Sequence, residues 1–531
     1  MHEVLIATHL TDDSLTLLNE EGDVTAVPIT PVAHTLREKL ATAAAIIARD
    51  DVVLDKALLA HDSSPNLKVI GCVGASVSGV DMAAATARGI IVMNTPGANA
   101  IAAGELTLTL MLALSRKLVT AHTSLREGYW LLDRKRQAGT QLYGKTLGLI
   151  GLGRVGAVVA QRALAFHMTV LAFDPYISDE QIGDERVQLV GLKELLGRSD
   201  YVSLHVPLTD ETRDMVNEEF LHTMRRGARL INTAHGALVN EDALAGTLRA
   251  GYLAGAAVDV FREEPPYSSP LIGLENVIHT PRIGDNTAEA SSDVSLQIVT
   301  QVLDALRGDD YRNVVNLPFV HGLDFETAHP YMILAERMGK LLLALARSPI
   351  RRIAVEYKGD ELASLVRPVT VALQRGILAG VHGEAVNYIN APVLAAERGM
   401  QVTQVKGIRS AGYASAVSVH VTLEDGEPIT MTGTLLDRRE PHIVQINDYR
   451  MNFIAEGRLL VMGSYDQPGV IGRVGTLLAD NGINIASWHT GRSTPGGHTL
   501  TVLTLDEPAP DAVLAALRAQ DFVRHAHQVM L

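Results

Sequence analysis

The run Gly151-Leu152-Gly153-Arg154-Val155-Gly156 constrains the fold of this chain more than any other feature. An apolar stretch reading as a strand, Thr146 to Ile150, precedes it, and a helical pattern from Ala157 to Phe166 follows. A second strand pattern, Met168 to Phe173, ends at Asp174. In that setting Gly151 allows a tight turn, Gly153 lets backbone approach a pyrophosphate, and Gly156 lets the helix close on the strand. The pyrophosphate would rest on the helix N-terminus, where free N–H groups and the helix dipole favour negative charge. Asp174 stands 18 residues after Gly156, near the ~20 expected of an acid that accepts ribose hydroxyls. An acid there repels a 2′-phosphate, and Pro175-Tyr176 supplies no cation, so NAD is expected rather than NADP.

Composition narrows the class. With 531 residues, 47% of them apolar and 20% charged, the chain can bury the cores of three or four domains. No uninterrupted apolar run reaches the ~18 residues of a membrane helix, and Met1 to Ala7 reads as a strand rather than a signal peptide. A net charge of −14 argues against nucleic acid but not against a small anionic substrate held by local arginines. The single cysteine, Cys72, excludes an internal disulfide and fits a cytoplasmic location. No metal site is expected.

The stretch to Asn94 alternates helices with short apolar strands, Glu3 to Ala7, Ala43 to Ile47, Leu67 to Val73 and Gly89 to Met93, as in a flavodoxin-like parallel α/β unit. After Thr95-Pro96-Gly97 a helix reads from Ala102 to Arg116. Strands at Tyr201 to His205, Arg229 to Asn232, Ala254 to Asp259 and Val277 to His279 extend the Rossmann unit, and a helical pattern returns from Asn286 to Arg307. These predict a discontinuous substrate-binding domain, residues 1–97 plus 287–316, clasping a Rossmann domain at 98–286, with substrate in the cleft. Residues 317–455 mix helices (Tyr331 to Ser348, Leu362 to Gly380) with strands (Arg352 to Tyr357, Ala416 to Leu423), an α+β texture. Residues 456–531 read βαββαβ, with a strand Leu459 to Ser464, a turn Asp466-Gln467-Pro468-Gly469 and a helix Val470 to Asn481. This last unit is a ligand-sensing module or a plain oligomerisation domain.

The chain resembles the D-isomer-specific 2-hydroxyacid dehydrogenases, in the long, ACT-bearing form of the D-3-phosphoglycerate dehydrogenases. The resemblance is carried by Val92-Met93-Asn94-Thr95-Pro96, Gly148 to Gly156, Phe173-Asp174-Pro175-Tyr176, Pro207-Leu208-Thr209 and Val258 to Pro265. Downstream, Asn387 to Leu394 is similar to that form's intervening domain and Asp466 to Ile485 to its ACT domain. It implies NAD-linked, reversible oxidation of 3-phosphoglycerate to 3-phosphohydroxypyruvate, the opening step of phosphorylated serine synthesis, by a homotetramer or homodimer. It also implies cofactor contacts at Thr95, Arg154, Val155, Pro207, Ala234 and Asp259, beside the glycines and Asp174. Arg134 and Ser76 fall at substrate-binding positions, and Glu264 at that of a glutamate orienting a catalytic histidine. Asp466 and Asn484 match groups that bind an amino-acid effector at a subunit interface.

Other positions depart from the family. His235 stands where an arginine grips the substrate carboxylate, Arg282 where the catalytic histidine stands, and Cys72 where the phosphoglycerate enzymes carry another arginine. Ser76 and Ser78-Gly79 replace a glycine and Asp-Asn, and Gly284-Asp285-Asn286-Thr287 replaces a Gly-Ala-Ser-Thr run. Arginine cannot relay a proton, its pKa lying above ~12; beside Glu264 it would form an ion pair. His235 is the remaining base in these loops, with an ordinary pKa near ~6.5. The site is then an exchanged dyad, Arg282 as anion grip and His235 as base, or one that binds and turns over poorly. Arg134-Lys135-Arg136 is suited to a phosphate or phosphonate, or is a solvated surface run; Cys72 reads as a small buried residue. Alternatives are a paralogue oxidising another phosphorylated or phosphonate hydroxy acid or an aldehyde hydrate, and a non-catalytic NAD-binding, effector-sensing homologue.

Overall fold

The computed structural model describes residues 2–130, 138–319, 325–407 and 412–531. The chain begins as a five-stranded parallel sheet whose order, edge to edge, is Val24–Pro28, His2–Ile6, Ala45–Ala48, Val69–Cys72 and Ile91–Asn94. This is the 2-1-3-4-5 order of flavodoxin-like folds. Its inner strands are buried on both faces, which is why they read as continuous apolar runs. A helix from far along the chain, Ala288–Arg307, completes the unit. Thr287 caps its start by accepting the Ala290 N–H at 3.1 Å, and Gly308 ends it at φ 82°. Ile298 and Val302 pack on Gly71 of the central sheet, where an added Cβ would lie 2.7 Å from Val302 Cγ2.

Between these segments lies a seven-stranded parallel sheet, ordered Val277–His279, Gly255–Val258, Arg229–Asn232, Tyr201–Leu204, Thr146–Ile150, Thr169–Phe173 and Val187–Leu189. Strand order reverses between Thr146–Ile150 and Tyr201–Leu204, so the loops leaving their carboxyl ends flank the crevice where such sheets bind ligands. The glycine loop leaves the first of these strands and His205 the second.

A six-stranded mixed sheet follows, Gln401–Lys406, Ile350–Lys358, Ala416–Leu423, Ile429–Leu436, Glu440–Ile446 and Tyr449–Ile454, under helices Phe325–Leu345 and Val366–His382. The helices touch at Gly376, where a Cβ would fall 2.0 Å from the Glu336 carbonyl oxygen. The chain ends in an antiparallel sheet, ordered Ile485–Arg492, His498–Leu505, Arg458–Tyr465 and Val523–Met530, with helices Val470–Asp480 and Asp511–Arg518 completing βαββαβ connectivity.

Candidate active site

Gly151 takes φ 94°, and a Cβ there would sit 2.6 Å from the His205 carbonyl oxygen. A Cβ on Gly156 would lie 2.2 Å from the Gly151 carbonyl oxygen, so the turn and the helix packing both require glycine. Gly153 differs. Its backbone is extended (φ −69°, ψ −161°) and a Cβ would meet no atom within 4 Å. That open space lies at the N-terminus of helix Arg154–Ala165, where a phosphate would approach. Asp174 closes the other side: Oδ2 accepts the Leu152 N–H and Oδ1 the Tyr176 N–H, both at 3.0 Å. With two backbone donors orienting it, the carboxylate keeps lone pairs for hydroxyl donors. These residues fit a dinucleotide.

A cluster of charged residues lies across the crevice. Asp259, 1% exposed, gathers the loop after strand Val277–His279: Oδ1 accepts from Thr280 Oγ1 at 2.6 Å and Ile283 N at 2.9 Å, and Oδ2 accepts from Gly284 N at 2.8 Å. The Asp259 carbonyl accepts the Arg282 N–H at 2.9 Å. These four bonds hold Arg282 in the left-handed region at φ 54°, a conformation costing a non-glycine residue ~1–2 kcal/mol. From there its Nη1 donates to Glu264 Oε2 at 2.9 Å, while Glu264 Oε1 accepts the Phe261 N–H at 3.2 Å.

His235 joins this pair. Burial pushes its imidazole below the ordinary value, the Arg282 guanidinium adds to that, Glu264 opposes it, and Arg213 and Asp50 act with smaller weight in opposite senses. The loops of His235 and Arg282 are therefore within electrostatic reach of each other, with no hydrogen bond from His235 to Glu264 or Arg282 among the described residues. Nδ1 of His235 accepts the Ala237 N–H at 3.2 Å, capping the turn Gly236–Leu238 and assigning the ring proton of the neutral form to Nε2. Gly236 allows this loop its place, since a Cβ there would overlap Phe261 backbone at 1.9 Å.

Other candidates are engaged within the scaffold. Thr95 Oγ1 accepts the Gly74 N–H at 2.8 Å, tying the interdomain strand end to the loop after Cys72. Ser76 Oγ lies 3.0 Å from Ser78 Oγ on that exposed loop. The Ala234 N–H donates to Asn232 Oδ1 at 3.1 Å, and the Pro207 carbonyl accepts from Thr212 Oγ1 at 2.7 Å. Val155 is in the first turn of the glycine-loop helix, and the Arg154 side chain covers Gly97. Cys72 is buried, its thiol pushed up to about 12 by burial and by Asp50, so thiolate chemistry is closed to it. Arg134, with Lys135 and Arg136, lies outside the described residues.

Sequence reasoning missed three participants. Asp50 follows strand Ala45–Ala48 at its carboxyl end, on the first domain's wall of the cleft, and acts on Cys72, His235 and Arg282 alike. Arg49 Nη2 lies 4.0 Å from Asp285 Oδ2 across the same gap. His205, beside the glycine loop, is held neutral by burial, its value pushed down to about 4, with Nε2 2.9 Å from Ser203 Oγ. The available signal was positional: charged residues just past a parallel strand's carboxyl end.

In the last domain, Asp466 Oδ2 accepts the Gly496 N–H at 2.9 Å and lines a pocket of about 270 Å³ with Ser464, Trp488, Thr490, Thr499 and Thr501. Asn484 is elsewhere: its Nδ2 donates to Asp506 Oδ2 at 2.6 Å. Register pairs Tyr465 with His498 and Arg458 with Leu505, so Asp466 and Asn484 occupy opposite ends of the sheet in one chain. No cluster of three or more metal-ligating side chains occurs among the described residues, and none of their helices is long and apolar enough to cross a membrane.

A glycine-loop Rossmann sheet clasped by a flavodoxin-like domain, with Asp174 bonded to the glycine loop and charged loops facing the crevice, defines a two-domain NAD-dependent dehydrogenase acting on CH–OH groups. Residues 108–284 match the family described as D-isomer specific 2-hydroxyacid dehydrogenase, NAD binding domain; 327–447 match the D-3-phosphoglycerate dehydrogenase intervening domain, and 458–522 the ACT domain. D-3-phosphoglycerate dehydrogenase of Methanocaldococcus jannaschii is 36% identical over 98% of each chain. That of Bacillus subtilis is 34% identical over 97% of each. Among solved structures, D-lactate dehydrogenase from Aquifex aeolicus complexed with NAD and lactic acid is 28% identical with a TM-score of 0.51, covering 58% of this chain and 96% of that one. A glyoxylate reductase from Paecilomyes thermophila is 26% identical with a TM-score of 0.54, covering 59% and 98%. The chain belongs to the D-isomer-specific 2-hydroxyacid dehydrogenase family, in the long form with an intervening and an ACT domain.

Proposed function

We propose that the chain catalyses NAD-linked, reversible oxidation of a small 2-hydroxy acid at the His235–Glu264–Arg282 site, with 3-phosphoglycerate the first substrate to test because the relatives above carry that name. The observation that carries this reading is the ion pair of Arg282 with Glu264, within electrostatic reach of His235, facing an intact dinucleotide loop. Bound NAD supplies the hydride acceptor. Arg282 uses one nitrogen on Glu264, and its side chain is 60% exposed, leaving N–H groups to grip a carboxylate. His235 takes the alcohol proton. Accepting it costs the Ala237 contact, whichever ring nitrogen is used. That 3.2 Å bond is at the long end of the range and contributes ~0.5–1.5 kcal/mol, small against the ~10²–10⁴-fold of a positioned base.

Cys72 and Asp50 favour a second reading, a substrate other than 3-phosphoglycerate, because that wall offers a thiol and a carboxylate beside Arg49, and Arg49 already faces Asp285. An amino-acid effector at the ACT domain belongs to the proposal as well. Its site would join Asp466 of one chain to Asn484 of a second, in a homodimer or homotetramer. A steady-state assay of the full chain with NAD and a panel of D-2-hydroxy acids tests the whole. Turnover of one member supports it; NAD binding with no reduction by any member overturns it.

A further inference from the structure

The charges that face the cleft from described residues are mostly neutralised in pairs. Arg282 meets Glu264 at 2.9 Å, and Arg49 approaches Asp285 at 4.0 Å. Asp50 and Arg213, which both act on His235, are exceptions: neither side chain makes a hydrogen bond or ion pair to any described residue. The position of Asp50 is nonetheless fixed. The Val52 N–H donates to the Arg49 carbonyl at 3.1 Å, closing the turn that carries Asp50. Gly79 packs against that turn so tightly that a Cβ would fall 2.8 Å from the Asp50 carbonyl oxygen and 2.5 Å from that of Val52. Strand register sets Ala48 beside Cys72, so the turn lies next to the Cys72 strand end. The Asp50 carboxylate is half-buried and acts on Cys72 from its own domain and on His235 and Arg282 from the other. A carboxylate carried on a fixed turn without a partner, opposite an anion grip, is a receptor for a hydrogen-bond donor and repels an anion.

We propose that Asp50 is a specificity-determining residue, selecting a 2-hydroxy acid whose end remote from the carboxylate bears an ammonium and disfavouring one that ends in phosphate. This rests on the reading that the cleft binds a 2-hydroxy acid with its carboxylate at Arg282. The pairing is chemically complementary end to end. Arg282 takes the carboxylate, Asp50 the ammonium, and the hydroxyl-bearing carbon lies between them near His235. The ligand class is a zwitterionic amino-hydroxy acid; a neutral hydroxyl end would bind less well, having one donor and no charge. Each charge-assisted hydrogen bond is worth about tenfold or more in binding.

Binding is measured calorimetrically on the NAD-loaded full chain, with D-isoserine, D-glycerate and 3-phosphoglycerate as probes sharing one hydroxy-acid core, for the wild type and Asp50→Asn. Turnover is followed in parallel. The expected result is at least tenfold tighter binding of D-isoserine than of 3-phosphoglycerate by the wild type, and a collapse of the isoserine-to-glycerate ratio by about tenfold in Asp50→Asn. Arg49→Ala, next to Asp50 but paired with Asp285, is expected to leave that ratio within about twofold. If 3-phosphoglycerate binds as tightly as D-isoserine, or if Asp50→Asn weakens all three in parallel, the assignment is overturned even where turnover is normal. Selective binding of D-isoserine that depends on Asp50, with no reduction of NAD by any probe, would sustain the assignment and sink the dehydrogenase reading instead.

Discussion

Nη1 of Arg282 donates to Oε2 of Glu264 at 2.9 Å, from a backbone that Asp259 holds in the left-handed region. The pairing explains how an arginine is accommodated in a loop that, by family resemblance, would carry the catalytic histidine: Glu264 keeps an oriented partner and the loop keeps its Asp259 anchor. It also brings a permanent positive charge beside His235, the one group of the three that can change protonation near neutral pH.

The acid limb of the oxidation rate should report this network. With the pKa of His235 lowered by burial and by Arg282, its base form dominates at pH 7, and activity should fall only as pH drops below the ordinary histidine range. Arg282→Gln removes a lowering influence and leaves Glu264 free to raise the pKa, so the acid limb should move to higher pH. Glu264→Gln should move it lower. The kcat/KM pH profiles of the three proteins check this; identical limbs would rule out His235 as the titrating group.

Two glycine substitutions should separate cofactor binding from folding. Gly153→Ala adds a methyl to open space on an extended backbone, so Tm should hardly change while NAD affinity drops tenfold or more, the methyl occupying the room of a phosphate. Gly156→Ala drives a methyl to 2.2 Å from the Gly151 carbonyl oxygen, so it should lower Tm by several degrees as well. Thermal melts with and without NAD distinguish the two outcomes.

Asp174 should set the cofactor preference. Its carboxylate is oriented by the Leu152 and Tyr176 N–H groups. NADP should be used at least a hundredfold less efficiently than NAD, and Asp174→Ala should narrow that gap while raising KM for NAD. Equal use of both cofactors by the wild type would contradict this.

Acid should destabilise the fold through neutral histidines. His525 lies over Gly463, its value pushed down to about 4 chiefly by burial, with Arg347, His527 and Arg524 adding to it, and its Nδ1 has no hydrogen-bond partner among the described residues. His205 is pushed down to about 4 as well, by burial. Between pH ~6.5 and 4 the unfolded chain binds these protons and the folded chain does not, so stability present above 6.5 is lost as pH falls. Wild-type Tm should drop between pH 7 and 5, and His525→Leu should show a shallower drop.

Much of the fold is legible from apolar runs. Strands Thr146–Ile150, Arg229–Asn232, Val277–His279 and Ala416–Leu423 coincide with their sequence patterns because buried strands write continuous or alternating apolar residues. Helix Arg154–Ala165 starts three residues earlier than its pattern, since Gly156 lowers propensity but is required by packing. Edge strands Val24–Pro28 and Gln401–Lys406 escaped, the first being short, only half-buried and closed by a proline, the second largely exposed and polar. The residues that differ from family pattern are equally legible, but their meeting is not: His235 and Arg282 lie on loops after different strands. Asp50 acquires meaning only once the end of strand Ala45–Ala48 is known to face the cleft.

Steady-state kcat/KM for 3-phosphoglycerate with NAD, measured for the wild type, His235→Arg, Arg282→His and the double variant, tests the exchange most directly. If the two residues have traded roles on an otherwise competent scaffold, each single change leaves two like residues in the site and lowers activity, while the double change raises 3-phosphoglycerate turnover above both singles and above the wild type. A double variant no better than the worse single would contradict the exchange.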